Sequence, residues 1–246
     1  MLCINKETVA VAVACVFVIN IEDILFLMIL GFSLAAPLGP VNMEMIKQVL
    51  KSKFGYIFGI FTGLGALTGD FLVASFVLFL SIEFLKDFVE NFYVFIILSC
   101  INIGILLFIG INAIKNNEIE NLDSTENNLE LDNRLFGILK QYIIGLIIVI
   151  TSPWSYFWWA SFGGILINSG LPLFDIGDRL IAIFFFLTGI LVWILLLTYS
   201  LRLSRKFASD KILKLIIKGS AYLIIAFAIL ITYETIAFIF NFPSLR

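Results

Sequence analysis

The chain of 246 residues contains no histidine and only three cysteines. Without histidine it lacks the most common metal ligand and the side chain best suited to proton transfer near neutral pH. Cys3, Cys15 and Cys100 show no paired spacing, so the sequence predicts neither a disulfide framework nor a metal site. An integral-membrane enzyme would need clustered nucleophiles, bases or ligands at one depth. We therefore expect no catalytic residue and no cofactor.

Charged residues are also scarce. They make up 14% of the chain, whereas 61% of its residues are hydrophobic. Soluble domains are about 45–50% apolar and about 25% charged. A single globular core cannot bury this excess, so the lipid bilayer must surround most of the chain.

Six runs with one charge or none are each long enough to cross a bilayer, which takes about 20 mostly apolar residues. The runs are continuous and do not alternate as barrel strands do, so they predict helices. The predicted spans are 24–46, 54–82, 93–114, 141–167, 180–201 and 219–240. The expected fold is an all-α integral membrane protein.

Lysine and arginine are concentrated in every second loop. Three, three and six of them follow spans one, three and five, which accounts for 12 of the 16 in the chain. Basic loops stay on the cytoplasmic side, so we expect a cytoplasmic-membrane protein with both termini outside. The basic stretch 204–218 is either a helix on the inner membrane surface or a cytoplasmic extension of span six.

The predicted spans fall into two groups of three. Residues 1–23 are a signal-like or interfacial extension, unless the start site is placed too early. Residues 24–114 hold three spans, 115–135 are an acidic cytoplasmic linker, and 136–246 hold three more. Because each half has an odd number of spans, the second half would be inverted relative to the first. Many secondary transporters share this plan, with the substrate near the midplane where paired helices are broken.

Proline interrupts the first and fourth spans. A proline removes an N–H and frees a carbonyl, and lipid offers no partner for it, so each break must lie inside the bundle or against a watery cavity. A helix that restarts after such a break presents a positive end that suits a carboxylate. The alternative is a simple kink packed by neighbouring helices. The candidate substrate-binding residues at the breaks are Pro37, Gly39, Pro40, Asn42, Ser152, Pro153 and Ser155.

Three acidic residues lie within the spans. Asp70 is near the middle of span two, where a charge costs about 2.5–3.5 kcal/mol, so it should face the interior and bind a cationic group or carry a proton. The alternative for Asp70 is a hydrogen bond to backbone freed at a break. Glu44 precedes Lys47 by one turn and is either part of an inner gate or half of a surface ion pair. Glu234 is either a gating residue or an interfacial anchor.

Other residues have packing or lining roles. The glycines of span two would let another helix approach closely. Asn102 and Asn112 on span three could bond across helices. Trp154, Trp158 and Trp159 form a cluster after the second break, which either packs or walls a cavity.

Residues 37–80 resemble the first half of the LysE-type translocators, the amino-acid exporter family that includes the homoserine/threonine exporters. The proline–glycine–proline break with Asn42, the basic stretch 47–53 and a glycine-rich second helix bearing Asp70 all match the family pattern. In the second half Pro153 matches, but Ser152 stands where the family usually has Asn. The layout agrees over residues 24–240.

The resemblance implies export of amino acids or similar small molecules, driven by proton exchange or the membrane potential. The residues themselves suit a zwitterion, with its carboxylate near Asn42 and its ammonium at Asp70. Expected partners are this substrate and the bilayer, with no nucleic acid. A homodimer is left open. A passive channel, a metal-ion efflux protein and a non-transporting accessory protein remain as alternatives, although carboxylates and Asn alone would hold a soft metal poorly.

Overall fold

The computed structural model describes residues 20–37, 39–51, 54–79, 92–115, 131–168 and 176–241. These residues form eight α-helices, and no strand occurs among them, so the all-α prediction is confirmed for this part of the chain. The helices are α1 (Ile21–Ala35), α2 (Pro40–Lys51), α3 (Gly55–Phe79), α4 (Phe92–Lys115), α5 (Leu131–Ile150), α6 (Pro153–Asn168), α7 (Ile176–Arg205) and α8 (Asp210–Asn241).

Four of these helices, α3, α4, α7 and α8, are long and apolar enough to cross a membrane. The other four form two bent pairs. Helices α1 and α2 meet at 75°, and α5 and α6 meet at 65°. If each bent pair is one span, six spans result. The bends lie at the two proline-containing segments, so both predicted helix breaks are confirmed.

The outer surface of the bundle carries many large apolar side chains. Ile29, Phe108, Phe184, Leu215 and Phe240 are all well exposed. Monomeric soluble proteins rarely expose apolar patches larger than a few hundred Å². A surface of this kind fits contact with lipid tails, as the composition predicts.

Helix α2 lies at the centre of the bundle. Met45 packs among side chains of α1, α3, α6 and α7. Met43 packs among side chains of α4, α5 and α8, and Leu50 packs against α8. The short helix that restarts after the first break therefore contacts both sides of the core.

Two helix crossings depend on glycine, and each is reciprocal. A Cβ at Gly65 of α3 would collide with the carbonyl of Tyr142, and a Cβ at Gly145 of α5 would collide with the carbonyl of Thr62. Helices α1 and α7 cross in the same way, where Gly31 faces the Phe186 carbonyl and Gly189 faces the Met28 carbonyl. Close backbone approach of this kind is how helices associate in lipid, where no hydrophobic force draws them together.

Several helices begin earlier than the charge pattern predicts. Helix α1 begins at Ile21, within the predicted N-terminal extension, because Asn20 and Asp23 form a capping box there. Helix α5 begins at Leu131, within the predicted linker. The remainder of both predicted segments, 1–19 and 116–130, lies outside the described residues.

Two predictions about basic residues are resolved by the helix bounds. Lys47 does not lie in a loop, because α2 continues to Lys51 and Lys47 is buried within it. The stretch 204–218 mostly continues the last span, since α8 runs without interruption from Asp210 to Asn241. Lys211, Lys214 and Lys218 therefore lie on an extension of that helix.

The substitution Gly145→Ala is expected to lower stability by about 1–3 kcal/mol, because the new methyl group must push α5 away from the Thr62 carbonyl. Thermal unfolding of the detergent-solubilised protein measures the effect. Gly104→Ala is the matched control, because a Cβ at Gly104 meets nothing within 4 Å. Equal melting temperatures for the two variants would contradict the glycine contact.

Candidate functional site

A cavity of about 330 Å³ lies where α2 and α6 begin. Its volume is at the lower end of the range of ligand pockets, about 300–1,000 Å³, and suits one small metabolite. Its walls come from α1, α2, α3, α5, α6 and α7. The predicted site residues that line it are Pro37, Gly39, Pro40, Asn42, Asp70 and Ser155.

The backbone carbonyls at the first break are hydrogen-bonded by Asn42. Its Nδ2 donates to the carbonyls of Ala35 and Pro37, at 2.7 Å each. Its Oδ1 accepts a hydrogen bond from Trp193 Nε1 at 3.3 Å. Both N–H groups of the Asn42 amide are thus used by the break, so this side chain shapes the cavity and has no free donor to offer a ligand.

The second break is satisfied by a different set of side chains. Asn102 of α4 donates to the Ile148 carbonyl at 3.1 Å and to Thr151 Oγ1 at 2.9 Å. The Tyr156 hydroxyl donates to the Ile150 carbonyl at 2.9 Å. The expectation that Asn102 bonds across helices is confirmed. The position of Asn in the family pattern is taken by Ser152, and an Asn from a neighbouring helix supports this break.

Asp70 reaches the cavity from α3. Its Oδ1 accepts a hydrogen bond from Trp159 Nε1 at 3.1 Å, and it is only partly exposed. It forms no ion pair with any described residue. Among the described residues, Asp70 accepts its hydrogen bond from this indole and none from a backbone N–H group at a break. Its second oxygen is therefore the acidic group in the cavity that a ligand could meet.

Four predicted site residues do not line the cavity, and one of them is buried where the sequence allowed a surface position. Ser152 and Pro153 form the second break but do not line the cavity. Glu234 is exposed on α8, so the structure does not bring it to the site.

Glu44 is buried in α2, where it pairs with Lys47 and accepts a hydrogen bond from Gln48 at 2.6 Å. The interpretation of this pair as a surface ion pair is wrong, because α2 lies inside the bundle.

Sequence reasoning missed Trp193. It lies on α7 in a run of aliphatic residues, and nothing near it in the sequence marks a site. Its ring packs edge-on against Phe32, with centroids 5.3 Å apart, and its N–H fixes Asn42. The only signal available was the indole itself, a polar donor in the middle of a span.

The bent helix pairs, the lipid-compatible surface and the cavity at the breaks together describe a multi-pass α-helical membrane protein with an internal cavity. The family model for the LysE type translocator matches residues 32–235. The chain therefore belongs to the LysE-type translocator family, as its sequence pattern indicated.

A named relative is the Bacillus subtilis (strain 168) protein called "Putative amino acid efflux protein YcgF". The two sequences are 29% identical over 189 residues, which cover 76% of this chain and 83% of that protein. No solved structure matches the chain.

The substitution Asn42→Ala is expected to destabilise the protein, because it removes two partly buried hydrogen bonds at the first break, and each group left unsatisfied costs up to about 1–3 kcal/mol. The fraction of monodisperse protein after solubilisation and its melting temperature are the measurements. Asn112→Ala is the matched control, since the Asn112 side chain forms no hydrogen bond with the part of the chain that the structure describes. If both variants behave alike, Asn42 does not hold the break.

Proposed function

We propose that this chain is a secondary transporter that exports amino acids or similar small zwitterionic metabolites across the cytoplasmic membrane. One observation carries the proposal. Asp70, the carboxylate of span two, lines a metabolite-sized cavity that is bounded by the start of two interrupted helices. Family membership and the efflux description of the Bacillus subtilis relative support the direction and the substrate class.

The cavity offers complementary positions for the two charges of a zwitterion. The substrate ammonium group would bind the carboxylate of Asp70. Residues at the starts of α2 and α6, including Val41 and Ser155, line the same cavity. Because helix N-termini carry partial positive charge, these two ends would favour the substrate carboxylate.

The arrangement of the helices supports an inverted repeat. The first bent pair crosses α7 through a reciprocal glycine contact, and the second bent pair crosses α3 through an equivalent contact. If the first half, α1–α4, is exchanged with the second half, α5–α8, the crossing of α1 with α7 becomes the crossing of α5 with α3. An inverted repeat requires this correspondence. If the helices of one crossing rock as a unit against the helices of the other crossing, the cavity would open to alternate sides of the membrane.

Asp70 and the buried pair of Glu44 and Lys47 are the groups that we assign to coupling and gating. Asp70 can exchange its substrate for a proton, which would couple export to the proton gradient. The Glu44 pair lies in α2, the helix that contacts both sides of the core, so its rearrangement would accompany any movement of that helix. The exposed position of Glu234 favours an interfacial anchor.

The alternatives differ in what they require of the cavity. A metal-ion efflux protein needs several hard or soft ligands, and no group of three or more Asp, Glu, Cys or His residues clusters among the described residues. A passive channel would conduct without exchange. An accessory protein would have no use for Asp70 in a cavity.

The substitution Asp70→Asn is expected to reduce exchange of labelled amino acids in proteoliposomes by at least about tenfold, because the ammonium group loses a charged partner. The measurement is counterflow, in which vesicles loaded with an unlabelled amino-acid mixture accumulate label from outside. Glu234→Gln, which also removes an acid from a span, is the matched control and is expected to exchange normally.

Loss of proton coupling with retained binding in Asp70→Asn would assign the residue to proton transfer. Unchanged transport would make it a structural residue and remove the central support of the proposal. Downhill flux without counterflow would favour the passive channel.

The proposed orientation places the basic loops in the cytoplasm and both termini outside. An epitope tag inserted in the acidic segment after residue 123 should be inaccessible to antibody in intact cells, and a tag after Arg246 should be accessible. The reverse pattern would overturn the proposed orientation. An overturned orientation would not change the result that we expect from the exchange measurement.

A further inference from the structure

Every tryptophan of the chain lines the cavity. The sequence contains four, and Trp154, Trp158 and Trp159 of α6 and Trp193 of α7 all belong to its walls. Tryptophan is otherwise absent, although membrane proteins usually place it at the two interfaces with water. The concentration of indole rings at one cavity is the observation that indicates what the cavity binds.

Two of the rings are held in place by hydrogen bonds to the polar residues of the site. Trp159 donates to Asp70 at 3.1 Å and Trp193 donates to Asn42 at 3.3 Å. Trp158 stacks on Phe162, with centroids 5.3 Å apart and an angle of 16° between the planes. The aromatic wall is thus fixed before a ligand arrives, which lowers the entropic cost of binding.

Asp70 is the one ionisable side chain among the described lining residues, and no lysine or arginine accompanies it there. An acidic substrate side chain would add a second negative charge beside Asp70. A basic side chain would bring a second cation with no second carboxylate to receive it. Neither extra charge would find an oppositely charged side chain among the described lining residues, so both would be held poorly.

Most of the other described lining residues are apolar. They include Leu34, Met45, Val149, Ile190 and Ile194. Besides the second oxygen of Asp70, the lining side-chain groups without a hydrogen-bond partner among the described residues are the Ser155 hydroxyl and the indole N–H groups of Trp154 and Trp158. A hydroxylated substrate side chain would therefore lose its hydrogen bonds to water and gain few hydrogen bonds from the cavity.

We infer that the cavity selects neutral amino acids with large apolar side chains, aromatic ones above all. The inference rests on the proposed transport function and specifies its substrate. The ammonium group would bind Asp70 and the faces of adjacent indoles, which attract cations. The substrate side chain would pack against the remaining rings in offset or edge-to-face geometry.

Because burial of a phenylalanine side chain removes far more apolar surface from water than burial of a threonine side chain, phenylalanine should bind at least about tenfold more tightly than threonine. The test is a competition experiment with the wild-type chain in proteoliposomes, in which unlabelled phenylalanine, leucine, threonine, lysine and glutamate compete for counterflow of a labelled amino-acid mixture. Binding by purified protein is measured in parallel from the intrinsic tryptophan fluorescence, which phenylalanine should change because all four fluorophores line the site.

Variants of the wall separate preference from folding. Trp158→Ala should reduce the advantage of phenylalanine over threonine, and Trp158→Phe, which keeps an aromatic ring, should largely restore it. Phe240→Ala removes an exposed ring on α8 that does not line the cavity, and it should leave the order of competitors unchanged.

Three outcomes are informative. Strongest competition by phenylalanine, lost in Trp158→Ala and kept in Trp158→Phe, supports the inference. Stronger competition by threonine, lysine or glutamate overturns the inference but leaves the proposed export function in place. Exchange of no amino acid in the mixture overturns the proposed function and the inference with it.

Discussion

The fold depends on the need to pair backbone carbonyls that two helix breaks leave inside an apolar bundle. Lipid offers these groups no partner, so the protein must supply one for each. Asn42 donates to two carbonyls at the first break, and Asn102 and Tyr156 serve the second. Once the breaks are satisfied in this way, both helices can restart at one place, and the space between their ends is the cavity.

This arrangement explains why polar residues lie so deep in an apolar chain. Asn42, which satisfies the first break, accepts a hydrogen bond from Trp193, and Asp70, which would meet a ligand, accepts one from Trp159. An indole N–H group therefore orients each of these two polar residues. The reciprocal glycine contacts bring the surrounding helices close enough to enclose them. A buried acid is costly in a membrane, and Asp70 avoids part of this cost because it faces a cavity.

Much of this architecture could be predicted from the sequence. Long apolar runs predict the helices, and the prolines at 37–40 and 153 predict the breaks, because proline acts locally on the backbone. Comparison of the two halves predicted that the breaks at Pro40 and Pro153 lie near one site, and the cost of a charge in the middle of a span predicted that Asp70 faces the interior. Long-range contacts could not be predicted in this way. No local pattern shows that Trp193 bonds to Asn42 or that α2 is central, which is why Glu44 and Lys47 looked like surface residues and are buried.

The most direct test of the account is whether water reaches the cavity. In a background in which the three native cysteines are replaced by serine, Ser155→Cys lies in the cavity wall, and Gly104→Cys lies on the exposed side of α4. Hydrophilic thiol reagents react with hydrated thiolates. The account predicts fast labelling of Ser155→Cys and slow labelling of Gly104→Cys. Labelling of Ser155→Cys that is no faster than that of Gly104→Cys would contradict the presence of a wet site at the helix breaks.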